Sequence, residues 1–403
     1  MTAEQYDIVI SGGGLVGTTL ALALARLPLT VCLVDPVAKA PPRPIHDRTF
    51  TIAQGSKRAL AALGVWGRLG AADFQPIQEI EVSDRAGRFG LTHIRAAEQG
   101  VDALGFVTAN GALLEALYDA LAATDIPVRA GRFTGLQKEG ATVGVSVSAG
   151  GATVQLSARL LVGADGTHSA VRAACGVPVT VHDYERVAIV SNCRVTAPRP
   201  TTAFERFTEH GPIAALPMGD DRYTFVVSRP PTESWQERDD DAFLSGLEQA
   251  FGDRLGHLVA ASPRLKFPLI RQQAGAATDA RVLLVGNAAH TLHPVAGQGF
   301  NLGLRDVAVL ADRLADACRR GLDFGDPAWL AGFHEARRSD IANTTRFTDG
   351  LVRLFSGGPR PLVVARSLAL TLIDCLPAVK RALGIRTMGL KGPLPRLLRG
   401  LTP

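Results

Sequence analysis

The chain has 403 residues, of which 46% are hydrophobic and 20% charged, so it is long and apolar enough for two domains with separate cores and is not a disordered protein. The net charge of +5 and the aromatic content of 6% argue against a nucleic-acid-binding protein, which needs clustered basic and aromatic residues. Five cysteines without a CxxC pair, and first residues without the apolar stretch of a signal peptide, indicate a reducing, cytoplasmic location.

The first predicted unit is a strand, a glycine-rich turn and a helix. The hydrophobic pattern predicts, in order, a buried strand at 6–11, an Ala/Leu helix at 20–27 and a second strand at 30–34. The turn between the first strand and the helix reads GGGLVG, residues 12–17, and fits GxGxxG. This βαβ pattern predicts a dinucleotide site, with Gly12, Gly14 and Gly17 at the pyrophosphate and Asp35 at the ribose hydroxyls.

The middle of the chain adds further α/β elements. The pattern predicts a loop and helix at 48–63, a helix at 111–123, a hairpin at 142–147 and 154–156, and a strand at 160–162. That strand leads into GADGTHSAVR, residues 163–172, in which Asp165 either contacts a ligand or caps the following helix. Arg172 either pairs with Asp165 or approaches a phosphate. From about residue 180 to 267, longer strands separated by turn residues predict an inserted, mostly antiparallel sheet.

A second glycine-rich unit, residues 282–306, reads VLLVGNAAHTLHPVAGQGFNLGLRD. Its apolar start predicts a strand that ends at Gly286, and helical spacing begins after Asn301. Gly297 and Gly299 lie between this strand and Asn301, and Gly303 follows Asn301. A strand, a glycine-rich loop and a helix N-terminus direct backbone N–H groups at an anion. Further helices are predicted at 310–317, from residue 329 onward, and after a Gly/Pro-rich break at 357–361.

Three segments taken together resemble the FAD motifs of the class A flavin aromatic hydroxylases. They are GGGLVG at 12–17, GADGTHSAVR at 163–172 and VGNAAHTLHPVAGQGFNLGLRD at 285–306, and their order and spacing match over nearly the whole chain. Other segments are similar to the ubiquinone-biosynthesis hydroxylases, namely HDRTFTIA at 46–53, FERFT at 204–208, GPIA at 211–214 and FPL at 267–269. Asn287 stands where the wider superfamily usually has Asp, which resembles the 2-polyprenyl-6-methoxyphenol hydroxylase branch.

The resemblance implies an α/β fold similar to para-hydroxybenzoate hydroxylase. A Rossmann-like FAD-binding domain would carry an inserted, mostly antiparallel β-sheet substrate domain and a C-terminal helical segment. The FAD-binding domain would comprise residues 1–75, 101–179 and 268–335, the substrate domain residues 76–100 and 180–267, and the helical region residues 336–403.

The resemblance also implies the site residues. The expected contacts to FAD are Gly12, Gly14, Gly17, Asp35, Arg48, Asn110, Asp165, Asn287, Gly297, Gly299 and Asn301. Asn287 would hydrogen-bond the ribityl chain or its adjoining phosphate, and residues 297–301 would place helix N–H groups near flavin N1 and O2. The expected residues on the catalytic side are His293, Pro294 and Arg48. His290 and His293 have no carboxylate neighbour in the sequence, so we expect no metal site.

In this family, reduced flavin reacts with O2 to give a C4a-hydroperoxide, which transfers oxygen to an electron-rich phenol. The resemblance implies a polyprenylated phenol of ubiquinone biosynthesis as the substrate, with NAD(P)H or a protein as the electron donor. Other ubiquinone-biosynthesis proteins are possible partners. Two alternatives stay open, a hydroxylase of another phenolic or aromatic metabolite and a non-catalytic flavin-binding scaffold. The absence of a GxSxG motif argues against a hydrolase.

The C-terminal region is basic and amphipathic. After Asp374 it has no acidic residue, and basic residues alternate with apolar ones at Lys380, Arg381, Arg386, Lys391, Arg396 and Arg399. This pattern predicts either a peripheral surface for the inner face of a membrane or a partner, or a helix packed on the protein with a solvated basic face. The apolar segment 361–379 is interrupted by Arg366, Asp374 and Pro377, so we expect no transmembrane helix.

Overall fold

The computed structural model describes residues 3–37, 39, 49–84, 90–275, 281–293, 297–355 and 360–403. The strands are β1 (Glu4–Ser11), β2 (Val31–Asp35), β3 (Thr49–Ala53), β4 (Phe74–Ile77), β5 (Glu79–Asp84), β6 (Leu91–Arg95), β7 (Gly105–Ala109), β8 (Val128–Ala130), β9 (Arg132–Glu139), β10 (Thr142–Ala149), β11 (Ala152–Gly163), β12 (Val179–Val195), β13 (Thr202–Thr208), β14 (Gly211–Pro217), β15 (Arg222–Arg229), β16 (Leu258–Ala261), β17 (Leu265–Ala274), β18 (Val282–Leu284) and β19 (His290–Thr291). The α-helices are α1 (Leu15–Leu24), α2 (Gln54–Ala62), α3 (Ala96–Gln99), α4 (Asn110–Leu121), α5 (Ala170–Ala174), α6 (Asp240–Phe251), α7 (Gln298–Arg320), α8 (Pro327–Phe355), α9 (Arg360–Asp374) and α10 (Pro377–Thr387).

The first sheet has a parallel centre, in the order β8–β2–β1–β11, and β18 continues it along the end of β11. The hairpin of β9 and β10 pairs antiparallel with the earlier part of β11. The central strands are apolar on both faces because helices cover the sheet, as in other parallel α/β folds. Residues of α1, α4 and α7 share a buried core with β1 and β11, while α5 packs against the other face. The predicted α/β fold is therefore confirmed.

The second sheet is mostly antiparallel, in the order β19–β17–β12–β15–β14–β13–β5–β6, and β16 also pairs with β12. The pairing of β13 with β5 is parallel. Side chains alternate between the two faces of each strand. On one face, Phe204 and Phe225 pack against Phe243 and Phe251 of α6 and form a separate core.

A third, three-stranded sheet, β3–β7–β4, is antiparallel and contacts both other sheets. Ile52 of β3 belongs to the core of the first sheet. Thr49 of β3 bonds Thr224 of the second sheet, and Val107 of β7 packs near Ala203 of β13. The prediction of a loop before the helix at 48–63 is wrong for residues 49–53, which form β3. This short strand pairs with residues 105–109, more than fifty positions away, a contact that a local pattern does not contain.

The C-terminal helices differ in detail from their predictions. Helix α7 is one helix from Gln298 to Arg320, which includes both the helical spacing predicted after Asn301 and the helix predicted at 310–317. It begins a few residues earlier than predicted, directly after Gly297, whose left-handed backbone forms the N-cap. Helix α9 lies across β5 and β6 through polar contacts to Asp84 and His93. None of the described helices is long and apolar enough to cross a membrane.

Candidate active site

The three glycine-rich segments meet at the carboxyl ends of neighbouring parallel strands. In the register of the first sheet, Ser11 at the end of β1 lies opposite Gly163, and Gly163 lies opposite Leu284 of β18. The Ala164 amide donates to the Ser11 carbonyl at 2.8 Å, and the Val285 amide donates to the Gly163 carbonyl at 3.0 Å. This edge is where ligands bind in open α/β sheets.

The first glycine loop combines two kinds of glycine. A Cβ atom on Gly12 would lie 2.5 Å from the Ala164 carbonyl oxygen, and one on Gly17 would lie 1.8 Å from the Gly12 carbonyl oxygen. These glycines are required by close backbone packing. A Cβ on Gly14, by contrast, would meet no atom within 4 Å. Gly14 is the N-cap of α1, and no side chain caps this helix. The N-terminus of α1 therefore faces open space with its N–H groups available to an anion.

Asp35 holds the first loop in place. Its Oδ2 accepts from the Gly13 amide at 2.7 Å, and its Oδ1 accepts from the Val37 amide at 2.8 Å. Tyr118 donates to the Gly13 carbonyl at 3.1 Å, and burial together with the Asp35 charge raises the pKa of Tyr118 to about 12. A carboxylate oxygen has a further lone pair beyond each of these bonds, so Asp35 can still accept from a ribose hydroxyl.

The second segment is organised around a short helix. Asp165 accepts from the hydroxyl of Ser169, the N-cap of α5, at 2.5 Å and from the Val171 amide at 3.1 Å, so the two side chains together cap this helix. Arg172 donates to the carbonyls of Thr167 and Ala288, at 2.8 and 2.9 Å. The guanidinium thus ties the second segment to the third, in place of the predicted pair with Asp165. Its approach to a phosphate stays a prediction.

The third segment is locked to the first by a single side chain. A Cβ on Gly286 would lie 3.1 Å from Val16, and one on Gly303 would lie 2.9 Å from Val16 and 3.2 Å from the Gly286 Cα. Val16, in the first turn of α1, therefore fits between Gly286 and the first turns of α7. Asn287 follows Gly286 with an exposed side chain at the same edge of the sheet.

Gly297 and Gly299 flank the start of α7 and have different environments. Gly297 has a φ of +59°, and a Cβ there would lie 1.7 Å from the Thr51 hydroxyl. A Cβ on Gly299 would meet nothing within 4 Å. The start of α7 thus resembles the start of α1, since each has a glycine that faces open space within the first turn.

The side chain of Asn301 has structural partners. Its Oδ1 accepts from the Ala53 amide at 2.8 Å, and its Nδ2 donates to the carbonyls of Thr51 at 3.0 Å and Gly297 at 2.8 Å. With only 1% of its surface exposed, Asn301 fixes β3 to the start of α7. Any contact of this residue with FAD would have to use its backbone, and the side chain positions the loop.

The remaining predicted residues fall into two groups. Asn110 is the first residue of α4 and is partly buried, and its contact with FAD stays a prediction. Arg48 and Pro294 lie outside the described residues. His293 is buried, and its ring meets that of Tyr184 edge-on at a centroid distance of 4.9 Å. Burial lowers the pKa of His293 to about 4, so the imidazole is neutral near pH 7.

Behind the third segment lies a buried charge network that the sequence did not suggest. Asp306 accepts from His290 at 2.6 Å, from Arg337 of α8 at 2.7 Å and from the Gly286 amide at 3.0 Å. Burial alone would raise the pKa of Asp306, but His290 and Arg337 outweigh it and hold this pKa well below its usual range. Arg337 in turn reaches Asp340. The sequence did contain one signal for this network. Asp306 stands among the apolar positions of the predicted helix, and a charge that is buried in this way needs a partner of opposite charge.

The arrangement suits FAD. The starts of α1 and α7 supply two positive helix ends at one edge, and Gly14 and Gly299 leave room for a ligand to approach each of them. Asp35 stands at the end of β2, beside the first loop, where a ribose is held in dinucleotide-binding folds. No group of three or more His, Cys, Asp or Glu residues in the described ranges is placed to hold a metal ion.

A family model and two curated relatives place the chain in the same family. Residues 5–348 match the family model described as FAD binding domain. The chain is 39% identical to ubiquinone hydroxylase UbiL of Rhodospirillum rubrum, covering 98% of this chain and 93% of the relative. It is 30% identical to 3-demethoxyubiquinol 3-hydroxylase of Escherichia coli K12, covering 94% of this chain and 98% of the relative.

Among solved structures, p-nitrophenol 4-monooxygenase PnpA of Pseudomonas putida DLL-E4 has the same fold. It superposes with a TM-score of 0.80 over 96% of this chain and 99% of that one, at 16% identity. The chain therefore belongs to the FAD binding domain family, as an FAD-dependent monooxygenase related to the ubiquinone-biosynthesis hydroxylases.

Proposed function

We propose that this protein hydroxylates the aromatic ring of a polyprenylated phenol in ubiquinone biosynthesis. The observation that carries the proposal is the pair of helix N-termini, α1 and α7, which begin at one sheet edge with Gly14 and Gly299 facing open space. The names of the relatives supply the substrate class, since two of them are called ubiquinone or demethoxyubiquinol hydroxylases.

FAD, when bound, supplies the activated oxygen atom that adds to the ring. The start of α1 would hold the pyrophosphate and Asp35 the adenosine ribose. Asn287 would bond the ribityl chain or its phosphate, and the start of α7 would lie near flavin N1 and O2, where a helix N-terminus stabilises negative charge. His293 is neutral near pH 7 and buried, so it contributes shape and apolar surface on the catalytic side.

The second sheet would carry the substrate. The substrate domain would comprise residues 76–100 and 180–267. The FAD-binding domain would comprise residues 1–75, 101–179 and 268–335, and the helical region residues 336–403. The face of the second sheet opposite α6 is directed toward β3 and β7, as the bond between Thr49 and Thr224 indicates. A ring bound there would lie between the sheet and the third glycine segment.

The test is a single-turnover reaction with purified protein. The flavin is identified by its visible spectrum, reduced with dithionite without oxygen, and mixed with aerated buffer that contains 2-farnesylphenol. We expect a product heavier by one oxygen atom. A protein that hydroxylates 4-hydroxybenzoate but not the farnesylated phenol would favour the alternative of a soluble aromatic substrate. A protein that holds FAD but forms no product from either phenol would favour the scaffold.

The electron donor is tested separately. Anaerobic mixing of the oxidised protein with NADH or NADPH, in the presence of the farnesylated phenol, should bleach the flavin spectrum if a nicotinamide is the donor. Unchanged absorbance with both nucleotides would leave a protein as the donor. Neither result alters the single-turnover test, because dithionite replaces the donor there.

We further propose that α9 brings the protein to a membrane. Its inner face combines the buried Leu370 with polar contacts, since Ser367 and Arg366 reach Asp84 and Asp374 accepts from the His93 amide at 2.9 Å. Its outer face is apolar and continues into α10. The exposed residues of this ridge are Val364, Leu368, Leu372, Leu376 and Val379, each with 39–61% of its surface exposed. A helix with several apolar side chains on its outer face is suited to an apolar surrounding outside the protein.

The basic residues of the C-terminal region divide between the two predicted roles. Lys380 pairs with Glu98 and Asp374, Arg386 donates to the Asn343 carbonyl, and Arg396 pairs with Asp312. These three support the packing of the C-terminal region on the protein. The exposed basic residues are Arg381, Lys391 and Arg399, and they would meet anionic lipid headgroups beside the ridge.

Co-sedimentation with vesicles that contain phosphatidylglycerol tests this contact. Moving a leucine side chain out of an apolar environment costs about 1.5–3 kcal/mol, so the double variant Leu368→Ser/Leu372→Ser should bind at least about tenfold more weakly. The matched control is Val259→Ser/Leu322→Ser, which changes exposed apolar residues elsewhere, and it should bind like the original protein. Equal sedimentation of the two double variants would refute the ridge as the membrane contact.

A further inference from the structure

A row of five residues crosses the second sheet on the face opposite α6. Cross-strand pairing aligns Val190 with Val226, Val226 with Ala214, Ala214 with Glu205, and Glu205 with Val82. Side chains that are aligned in this way share a face of the sheet. Four of them are partly accessible, although they lie on interior strands. The row is apolar except for Glu205, which stands near its centre.

Packing at both ends of β13 covers the parts of this face on either side of Glu205. On one side of Glu205, Phe207 packs with Val82, with Leu370 of α9 and with Leu351 of α8. On the other side, Ala203 packs with Ile77, with Val107 of β7 and with Leu216. Between these two covered regions the face stays open enough for solvent to reach Glu205. An apolar surface that is bounded on both sides and holds one polar group is typical of the lining of a small-molecule site.

Glu205 differs from the other acidic residues nearby. On the opposite face of β5, Glu79 and Glu81 both pair with Arg199, at 2.9 and 2.8 Å. Glu205 has neither a hydrogen bond nor an ion pair to any residue that the structure describes. Two acidic residues on elements packed against its face are paired with arginines instead, Asp84 of β5 with Arg366 of α9 and Asp349 of α8 with Arg271.

The surroundings of Glu205 change its acidity. Burial raises its pKa to about 7, and no neighbouring charge contributes to this shift. The carboxyl group is therefore about half ionised at neutral pH, which is the range in which a side chain can both accept and release a proton.

We propose that Glu205 lies in the substrate site and accepts the proton of the phenol hydroxyl during hydroxylation, an inference that rests on the proposed function. The phenol O–H bond breaks as the proton forms an O–H bond with the Glu205 carboxylate. The electron pair left on the phenol oxygen enters the ring, and a ring pair forms the new C–O bond to the electrophilic oxygen that the monooxygenase supplies. The bond between that oxygen and the group that carries it breaks at the same time, and its electron pair leaves with the carrier group, which takes up a proton from solvent. The attacked carbon then loses its hydrogen as a proton to the original ring oxygen, and Glu205 releases its proton to solvent.

The test uses Glu205→Gln in the holoenzyme, followed through the dithionite-reduced single turnover of 2-farnesylphenol. General-base groups contribute about 10²–10⁴-fold, so we expect the hydroxylation rate to fall about 100-fold or more. Because the carboxylate must be ionised, the original enzyme should lose rate as the pH falls through about 7, and Glu205→Gln should lack this dependence. Glu205→Asp, which keeps a carboxylate, should recover part of the rate together with the pH dependence.

Two controls separate this role from a structural one. Glu139→Gln removes the same charge from an exposed position on β9 and should leave the rate and its pH dependence unchanged. An infrared titration, taken as the difference between the original protein and Glu205→Gln, should show a carboxyl group with a midpoint near pH 7 that shifts when 2-farnesylphenol binds to the oxidised enzyme. A Glu205→Gln enzyme with the original rate and pH profile would overturn the proposal, as would a titration midpoint near the ordinary value of about 4.3.

The same measurements distinguish failure of the inference from failure of the proposed function. If the original enzyme does not hydroxylate the farnesylated phenol, but its carboxyl titration has a midpoint near 7 that shifts with the phenol, this face still binds phenols through Glu205 and the ubiquinone-related function is wrong. If hydroxylation proceeds equally in both proteins, the function stands and Glu205 has no part in it.

Discussion

Replacement of Asp306 by alanine should cost more stability than any surface substitution on α7. Asp306 and Arg337 each have side chains less than 5% exposed, and their atoms lie 2.7 Å apart. The variant leaves Arg337 buried with one carboxylate partner fewer, and it removes the acceptor of the Gly286 amide and of His290. Breaking a buried ion pair by removing one partner costs about 3–5 kcal/mol, a large part of the roughly 5–15 kcal/mol by which proteins are stable.

The measurement is urea unfolding of flavin-free protein, because a bound ligand would add its own stabilisation. The matched control is Asp316→Ala, on the same helix, whose side chain is 58% exposed and whose ion pairs should contribute about 1 kcal/mol or less. The reasoning is refuted if the two variants shift the unfolding midpoint equally.

The same pair of variants gives a pH test. The pKa of Asp306 in the folded protein is lowered, so its stabilising contribution is present above the ordinary pKa of about 4 and is lost as the pH falls below it. In Asp306→Ala this part of the acid sensitivity should be missing, whereas Asp316→Ala should keep it. Equal acid sensitivity in the two variants would contradict the charge network.

Three further outcomes follow from the site. Gly14→Ala and Gly299→Ala should change the free energy of unfolding of the flavin-free protein by about 0.5 kcal/mol or less, because their Cβ atoms enter open space. Both should weaken FAD binding, measured by flavin fluorescence, because the cofactor would occupy that space. Gly17→Ala should instead lower the melting temperature of the flavin-free protein, since its Cβ would lie 1.8 Å from the Gly12 carbonyl. Burial lowers the pKa of His293 to about 4, so thermal stability should fall as the pH drops from about 6.5 to 4, and His293→Gln should flatten that slope.

The sequence predicted the elements whose signals are local. The strand, glycine turn and helix around Gly12–Gly17 combine a hydrophobic run, a turn that only glycine tolerates and a helical period within twenty residues. The same reasoning found the strand and loop at Gly286 and the capping role of Asp165, which was one of two open interpretations. These features depend on residues that are close in the chain, so pattern and propensity are sufficient to predict them.

Features that depend on distant partners were missed. The side chain of Asn301 bonds Thr51 and Ala53, about 250 positions earlier, and the glycine-rich loop in which Asn301 lies contains no signal for these partners. Its contact with FAD stays a prediction. The apolar ridge on α9 could be seen as a hydrophobic segment, but which side is exposed depends on the docking of Ser367 and Asp374 onto β5 and β6. Glu205 stood out in the sequence only as part of a family-like segment, because its position between two covered regions of the sheet face depends on the register of five strands.

The glycines show why a motif alone cannot separate packing from binding. Gly17, Gly286 and Gly303 match the family motifs as well as Gly14 and Gly299 do, but added Cβ atoms there would strike Gly12 or Val16. The missing side chains at these three glycines allow α1 and α7 to pack closely. Since Val16 fills the gap between Gly286 and Gly303, it sets the spacing of the two helix N-termini that would face the two ends of the cofactor. Gly17, Gly286 and Gly303 therefore contribute to binding indirectly, because their packing fixes the positions of Gly14 and Gly299.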